Sequence, residues 1–237
     1  MNQADEREAL ILAIETATAI GSIAVFEGEK LLGAMDMRRA RSHARLLMPM
    51  IEQLLDYLEI KPAELSAIGV SKGPGSYTGL RVGVSTAKGL CMALDKPLLG
   101  LGSLDTLAYK VQVLASELDA LICPMLDARR MEVYCEVFDS QLNSRMPIEA
   151  KIIEEGAFEE LLSEHKVIFL GDGAAKCRPI LSQSPQAIIL DDGLSSASDM
   201  GSALHKKFLE KDVEDLMSFE PFYLKSFVAT KSKKKFF

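Results

Sequence analysis

The chain has 237 residues, a formal net charge of −7 and four cysteines. That length can bury one sizeable core or two smaller ones, and the acidic balance argues against a protein whose main task is to grip nucleic acid unaided. No apolar run approaches the ~20 residues of a membrane span. The charged opening nine residues lack the apolar stretch of a secretion signal, and Cys91, Cys123, Cys135 and Cys177 form no C-x-x-C pair, so the expected setting is the reducing cytoplasm with buried thiols.

Leu10 to Thr16 reads as a strand, with a turn at Thr18 to Gly21. Ser22 to Phe26 and Leu31 to Met37 follow as two more, reversed at Gly28, and together they predict an antiparallel meander. Arg38 to Arg45 is basic and polar, and Ser42 is a candidate helix cap. Leu46, Leu47, Met50, Leu54 and Leu58 then recur at helical spacing as far as Glu59. Pro49 removes one backbone hydrogen bond there and should kink the helix or mark its true start. Lys61-Pro62 ends it.

Ala67 to Leu94 is the stretch around which the rest is organised. A short apolar run, Ala67 to Val70, breaks on Gly73-Pro74-Gly75. Candidate caps lie in Ser76 to Thr78, and a helix runs from about Leu80 to Leu94. Strand, glycine turn and helix is the layout of a phosphate loop, but Gly79 is followed by Leu80-Arg81 where a P-loop needs Lys and then Ser or Thr. The glycine spacing also misses the dinucleotide fingerprint. Gly in a helix interior costs about 1 kcal/mol against Ala, so Gly79, Gly83 and Gly89 need a reason, and close backbone approach supplies one. Either the helix packs tightly on its own sheet, or it offers a face to a partner helix.

A strand at Pro97 to Leu101 and a helix from Ser103 to about Ser116 complete the first half. The order then repeats. Strands are predicted at Leu121 to Leu126, at Met131 to Phe138 and within Ser144 to Ile153. Phe158 to Glu164 is helical and Val167 to Leu170 is a strand. Gly171-Asp172-Gly173 turns into a helix over Ala174 to Leu181. A strand at Ala187 to Leu190 and a helix at Ala197 to Lys211 follow. Both halves read β-β-β-α-β-α-β-α, which predicts mixed sheets with helices on both faces. Two such units in tandem describe an α/β fold, the duplicated ribonuclease-H-like core of actin-like ATPases (the ASKHA group). The expected boundary puts a first lobe, with a partner interface, at 1–118 and a second, with the basic tail, at 119–237.

The segment GPGSYTGLRVGVSTAKGL resembles the signature of the TsaB (YeaZ) family. ILAIETAT, SHARLLMPMIEQLL, PLLGLGSLDTLA and MLDARRMEVY match the same family's pattern, and together these cover most of residues 10 to 138 in order. The second half matches more loosely. The resemblance implies the same duplicated fold. It also implies a non-catalytic accessory subunit of the bacterial machinery that makes threonylcarbamoyladenosine in tRNA. Such a subunit forms a homodimer in isolation, pairs with the catalytic TsaD subunit, recruits the small ATPase TsaE and meets tRNA only through the complex. No cofactor is required on this reading, with ATP or ADP bound at low affinity at most.

In that fold, nucleotide binds between the halves, against the turns after each first strand. Glu15, Thr16, Thr18 and Asp127 are the residues of suitable type there, since carboxylates hold a divalent cation and hydroxyls meet phosphate. Strand-end acids and threonines also commonly cap turns. Glu15 stands where active members commonly have Asp, and its extra methylene should displace a bridging metal, so weak or absent ATP hydrolysis is expected. The competing reading is a small nucleotide-dependent enzyme of the sugar-kinase type using Glu15 and Asp127. A metal-dependent, glycoprotease-like peptidase lacks its ligand motif, because His43, His165 and His205 fall in separate elements. The expected partner face comprises His43, Leu46, Leu47, Met50, Leu54, Leu80, Gly83, Val84, Ala87 and Leu90, with Met48 and Met50 as adaptable surface. The competing reading of Gly83 and Ala87 is that both face the chain's own core. Arg129-Arg130 and the tail Lys231 to Lys235 are the basic spots, and the tail could touch tRNA.

Overall fold

Alternation along strand β1 (Leu10–Glu15) sets the layering: Leu12 and Ile14 enter the core on one face of a sheet, Ile11 and Ala13 the core on the other. The computed structural model describes residues 8–38, 43–191 and 194–225. β1 pairs antiparallel with β2 (Gly21–Glu27), which pairs antiparallel with β3 (Lys30–Met37). On its other side β1 runs parallel to β4 (Ala67–Gly73), and β4 parallel to β5 (Leu98–Gly102). The first sheet therefore has the order β3-β2-β1-β4-β5.

The second sheet repeats this arrangement strand for strand. β6 (Ala120–Asp127) is its centre, flanked by the antiparallel β7 (Glu132–Phe138) and β8 (Ser144–Ile152) and by the parallel β9 (Lys166–Leu170) and β10 (Ala187–Ile189). Its order, β10-β9-β6-β7-β8, is that of the first sheet read from the opposite edge. The repeated element order predicted from the sequence is thus present, as two mixed sheets in an α/β fold.

Helices α1 (His43–Tyr57) and α2 (Tyr77–Leu94) lie as neighbours on the outer face of the first sheet, and Leu47, Ile51, Leu54, Val84 and Cys91 join the core beneath them. α1 begins at His43 and runs on through Pro49, so proline does not mark its start. Ser76 caps α2, its hydroxyl accepting from the Gly79 amide at 3.3 Å, and Asp95 closes it in the left-handed conformation. On the outer face of the second sheet sit α4 (Glu159–Glu164) and α5 (Asp172–Leu181).

The last helix of each half lies between the sheets, and each serves the other half's sheet. α3 (Ser103–Leu118) leaves β5 and packs Leu104, Leu107, Val111 and Ala115 against Ile122, Leu126 and Ile168 of the second sheet. A short 3-10 turn (Ala197–Asp199) and α6 (Gly201–Glu210) leave the second sheet and cover the first, with Met200, Ala203 and Leu204 against Ile11, Ala13 and Phe26. The helix predicted over 197–211 is accordingly broken at Met200–Gly201, where a Cβ on Gly201 would lie 2.4 Å from the Phe26 ring. Residues 214–225 then run back over the first lobe. Glu214 bridges to Leu98, Phe219 is buried, and the Phe222 amide donates to the Lys72 carbonyl at 2.7 Å. None of the described helices is long and apolar enough to cross a membrane.

Candidate functional site

A cavity of about 580 Å³ opens between the lobes, within the range of small-molecule sites. One wall is the turn after β1 (Ala17, Thr18) with the loop from Pro74 to Thr78 that enters α2. Facing it are Asp127 and Arg129 from the turn after β6, Tyr134 and Asp172. The predicted cleft between the two first-strand turns is therefore present. The structure adds a third wall from Phe222 to Lys225. Tyr223 packs on Tyr77 with ring centroids 4.8 Å apart, and Lys225 forms an ion pair with Glu132 of β7, so the segment spans the lobes at the cleft mouth. The sequence reading places this segment in the second lobe, at 119–237, and gives it no part in the cleft. Its local signal is a cluster of aromatics, Phe219, Phe222 and Tyr223.

The four predicted cleft residues separate into two pairs. Thr18 and Asp127 line the cavity. Glu15 and Thr16 do not, because both side chains are consumed inside the lobe. The Thr16 hydroxyl donates to the Gly79 carbonyl at 2.9 Å. The Glu15 carboxylate is fully buried. It accepts from the Ala17 amide at 2.6 Å and from the Ser195 hydroxyl at 2.9 Å, with the Ser71 hydroxyl nearby. Burial raises its pKa above the ordinary 4.5, and these neighbouring donors offset part of the rise. The expectation that one extra methylene carries this carboxylate outward is thus corrected: it is turned inward.

The helix glycines explain why the first turn is held so closely. A Cβ on Gly79 would stand 2.0 Å from the Thr16 carbonyl oxygen, and one on Gly83 would stand 2.2 Å from the Thr16 hydroxyl. The Ser76 amide also donates to the Ala17 carbonyl at 2.6 Å. Close approach is therefore the reason for these glycines, but the backbone approached is that of the chain's own β1 turn.

That geometry corrects much of the predicted partner face. Gly83 and Ala87 face the first lobe's interior, as do Leu47, Leu54, Leu80 and Val84, because α2 lies glycine-side down on β1 and β4. Leu46, Met50 and Leu90 are half-buried, and Met50 and Leu90 pack against the edge of the first lobe's core. Met48, Tyr57 and Met92 are exposed. The side chain of His43 lies outside the described residues, as does the tail with Lys231 to Lys235. Among the described residues, no group of three His, Cys, Asp or Glu side chains is placed to hold a metal ion.

The second lobe's turn is built on different terms. Asp127 is exposed, pairs with Lys176 of α5 and accepts from the Arg129 amide at 2.8 Å. Its own amide donates to Asp172, whose pKa is raised by burial and by the neighbouring Asp127 charge. Arg129 and Arg130 both take left-handed backbone conformations, with φ of 75° and 52°.

Two solved structures share this architecture. YeaZ from Pseudomonas aeruginosa superposes with a TM-score of 0.74 at 23% identity, over 91% of this chain and 100% of that one. An inorganic polyphosphate/ATP-glucomannokinase from Arthrobacter sp. strain KM superposes at 0.50 with 12% identity, over 85% of this chain and 99% of the other. The repeated strand order and the cleft between the two first-strand turns define a protein of the duplicated ribonuclease-H-like, actin-like ATPase class. The family model of TsaD, tRNA N6-adenosine threonylcarbamoyltransferase, matches residues 33–231. The tRNA threonylcarbamoyladenosine biosynthesis protein TsaB of Bacillus subtilis (strain 168) is 30% identical over 231 residues, covering 91% of this chain and 93% of that protein. The chain belongs to the TsaB (YeaZ) family of tRNA threonylcarbamoyladenosine biosynthesis proteins.

Proposed function

We propose that this chain is a non-catalytic accessory subunit in the biosynthesis of tRNA threonylcarbamoyladenosine. It pairs with a catalytic subunit of the TsaD type, and the pair recruits an ATPase of the TsaE type. The assembly transfers a threonylcarbamoyl group from its adenylate to the adenosine 3′ of the anticodon, and tRNA is met through the assembly. Without a partner the chain associates with a second copy of itself. The observation that carries a supporting rather than a catalytic role is the state of Glu15. A carboxylate that accepts the Ala17 amide and the Ser195 hydroxyl in a fully buried setting is spent on structure and does not reach a phosphate-bound cation in the cleft. The solvent side of α1 and α2, with half-buried Leu46 and exposed Met48 and Met92, is the proposed pairing face, since exposed methionines adapt to more than one partner.

Reconstitution tests the reading directly. Threonylcarbamoyl transfer by a TsaD-type subunit should require this chain, and Glu15→Gln should support it as well as the native chain does. Transfer unaffected by omitting this chain overturns the reading. The second reading, a nucleotide-dependent enzyme, draws on the cleft itself, where Thr18, Ser76 and Thr78 face Asp127 across about 580 Å³. Titration calorimetry with ATP and magnesium, followed by an assay of phosphate release, separates the two. Turnover by the isolated chain that disappears in Asp127→Ala favours the enzyme.

A further inference from the structure

We infer that Glu15 is the pin of a hinge: its carboxylate ties together the two segments by which the chain crosses between the lobes, and the gain or loss of a proton there sets how far the cleft opens.

The chain passes from the first sheet to the second through Ser103, the first residue of α3, and returns through residues 194–199 into α6. Glu15 stands between these crossings. On the return segment it holds the Ser195 hydroxyl at 2.9 Å. Toward the outward segment the link runs through Ser71 of β4, close to the carboxylate; the Ser71 hydroxyl lies 2.7 Å from that of Ser103. All four side chains are fully buried. The crossings are also joined directly, because Lys110 of α3 donates to the Leu194 carbonyl at 3.2 Å and to Asp199 at 3.1 Å.

The charges around the carboxylate make its ionisation depend on the hinge. From its own turn comes the Ala17 amide, and from β2 the nearest polar side chain is Ser22, which is occupied by the Ala197 amide at 2.8 Å. β4 contributes Ser71, and α3 contributes Ser103 and Lys110. The return segment contributes Ser195 and the like charge of Asp199, itself held by Lys110 and near Asp36 of β3. The charged group bearing on Glu15 is thus another acid, and the cation nearby is taken by that acid. An ionised Glu15 gains from rotation of the return segment, which draws the like charge of Asp199 away and admits water in place of the Ser195 hydroxyl. A neutral Glu15 keeps its hydrogen bonds and favours the closed arrangement. Burial shifts this titration upward from 4.5. By linkage, any ligand or partner that closes the cleft draws a proton onto Glu15.

Spin labels on opposite lips of the cleft test this in the full chain. Ala19 and Arg130 are exposed, on the first and second lobes, and the native cysteines are buried. The Ala19→Cys, Arg130→Cys pair should give an inter-label distance that lengthens between pH 5 and pH 8. Adding Glu15→Gln should hold the distance at its acid value throughout. A Glu15→Gln protein that follows the native pH response, or a native distance that is constant with pH, overturns the inference. Should circular dichroism show Glu15→Gln unfolded, Ser195→Ala in the labelled chain decides. A longer or broader distance distribution at both pH values supports the pin, and an unchanged one overturns it.

Discussion

The turns after β1 and after β6 occupy matching places in two copies of one topology, yet they are held by opposite means. The first is locked by backbone and buried side chains: Thr16 into Gly79, Glu15 into Ala17 and Ser195, with α2 lying directly on the turn. The second shares the close glycine approach, through Gly171 and Gly173 at the end of β6, but its turn side chains are held by exposed charge, with Asp127 paired to Lys176 and Glu132 to Lys225. Exposed ion pairs contribute little and yield easily to salt or to a ligand, whereas buried hydrogen-bonded groups are costly to disturb. One lobe therefore presents a fixed wall and the other an adjustable one.

Gly83→Arg should break the fixed wall most severely. The side chain would enter the space filled by Thr16, and its guanidinium would be buried without a partner, adding several kcal/mol to the ~1–3 kcal/mol of ordinary overpacking. Against a total stability on the order of 5–15 kcal/mol, the chain is expected not to fold, as circular dichroism would show. A folded Gly83→Arg protein would place α2 elsewhere. Glu15→Ala comes next: leaving the buried Ala17 amide and Ser195 hydroxyl without their acceptor should cost about 1–3 kcal/mol, read from urea denaturation. Asp127→Ala, at the matching turn, should change stability by less than about 1 kcal/mol. Equal losses at the two positions would erase the contrast.

Glu15 also gives the contrast a pH dependence. Its proton is bound more tightly in the folded chain than in the unfolded one, so unfolding releases a proton between pH 4.5 and the raised folded value. Its contribution is fully present below pH 4.5 and is lost as pH rises through that window. In Glu15→Gln this decline should be absent, whereas Asp127→Asn should keep it; urea midpoints between pH 4.5 and 8 compare them. The smallest effect is expected on the open side of α2. A Cβ on Gly89 meets nothing within 4 Å, so Gly89→Ala should stabilise the protein by up to about 1 kcal/mol. A loss of stability there would mean that this side of the helix is already covered.

The sheets were legible because their strands are marked by apolar runs between glycine turns, and the same succession of marks occurs twice. The demand for close approach at Gly79 and Gly83 was legible too. The backbone being approached was not, since a missing Cβ says how near a neighbour comes and not whose it is. Leu47, Leu80 and Val84 were assigned outward because an apolar arc on a helix looks alike whichever surface it covers. Glu15 was recognised by type and position, but its direction depends on Ser195, far away in sequence. Likewise, the amphipathic patterns of α3 and α6 fit either sheet, so their exchange between lobes leaves no local mark.

That exchange constrains how the protein is made. The inner face of the first sheet is covered by Met200, Ala203 and Leu204, which leave the ribosome long after β1 to β5. The early half thus emerges with an apolar surface that only later residues can cover, the circumstance in which nascent chains aggregate or engage chaperones. Ribosome-stalled chains ending before 197 should bind holdase chaperones and be cut readily by protease. Chains stalled once α6 has cleared the exit tunnel should resist both. Protease resistance that appears with β5 alone would mean that the first sheet is finished without its late cover.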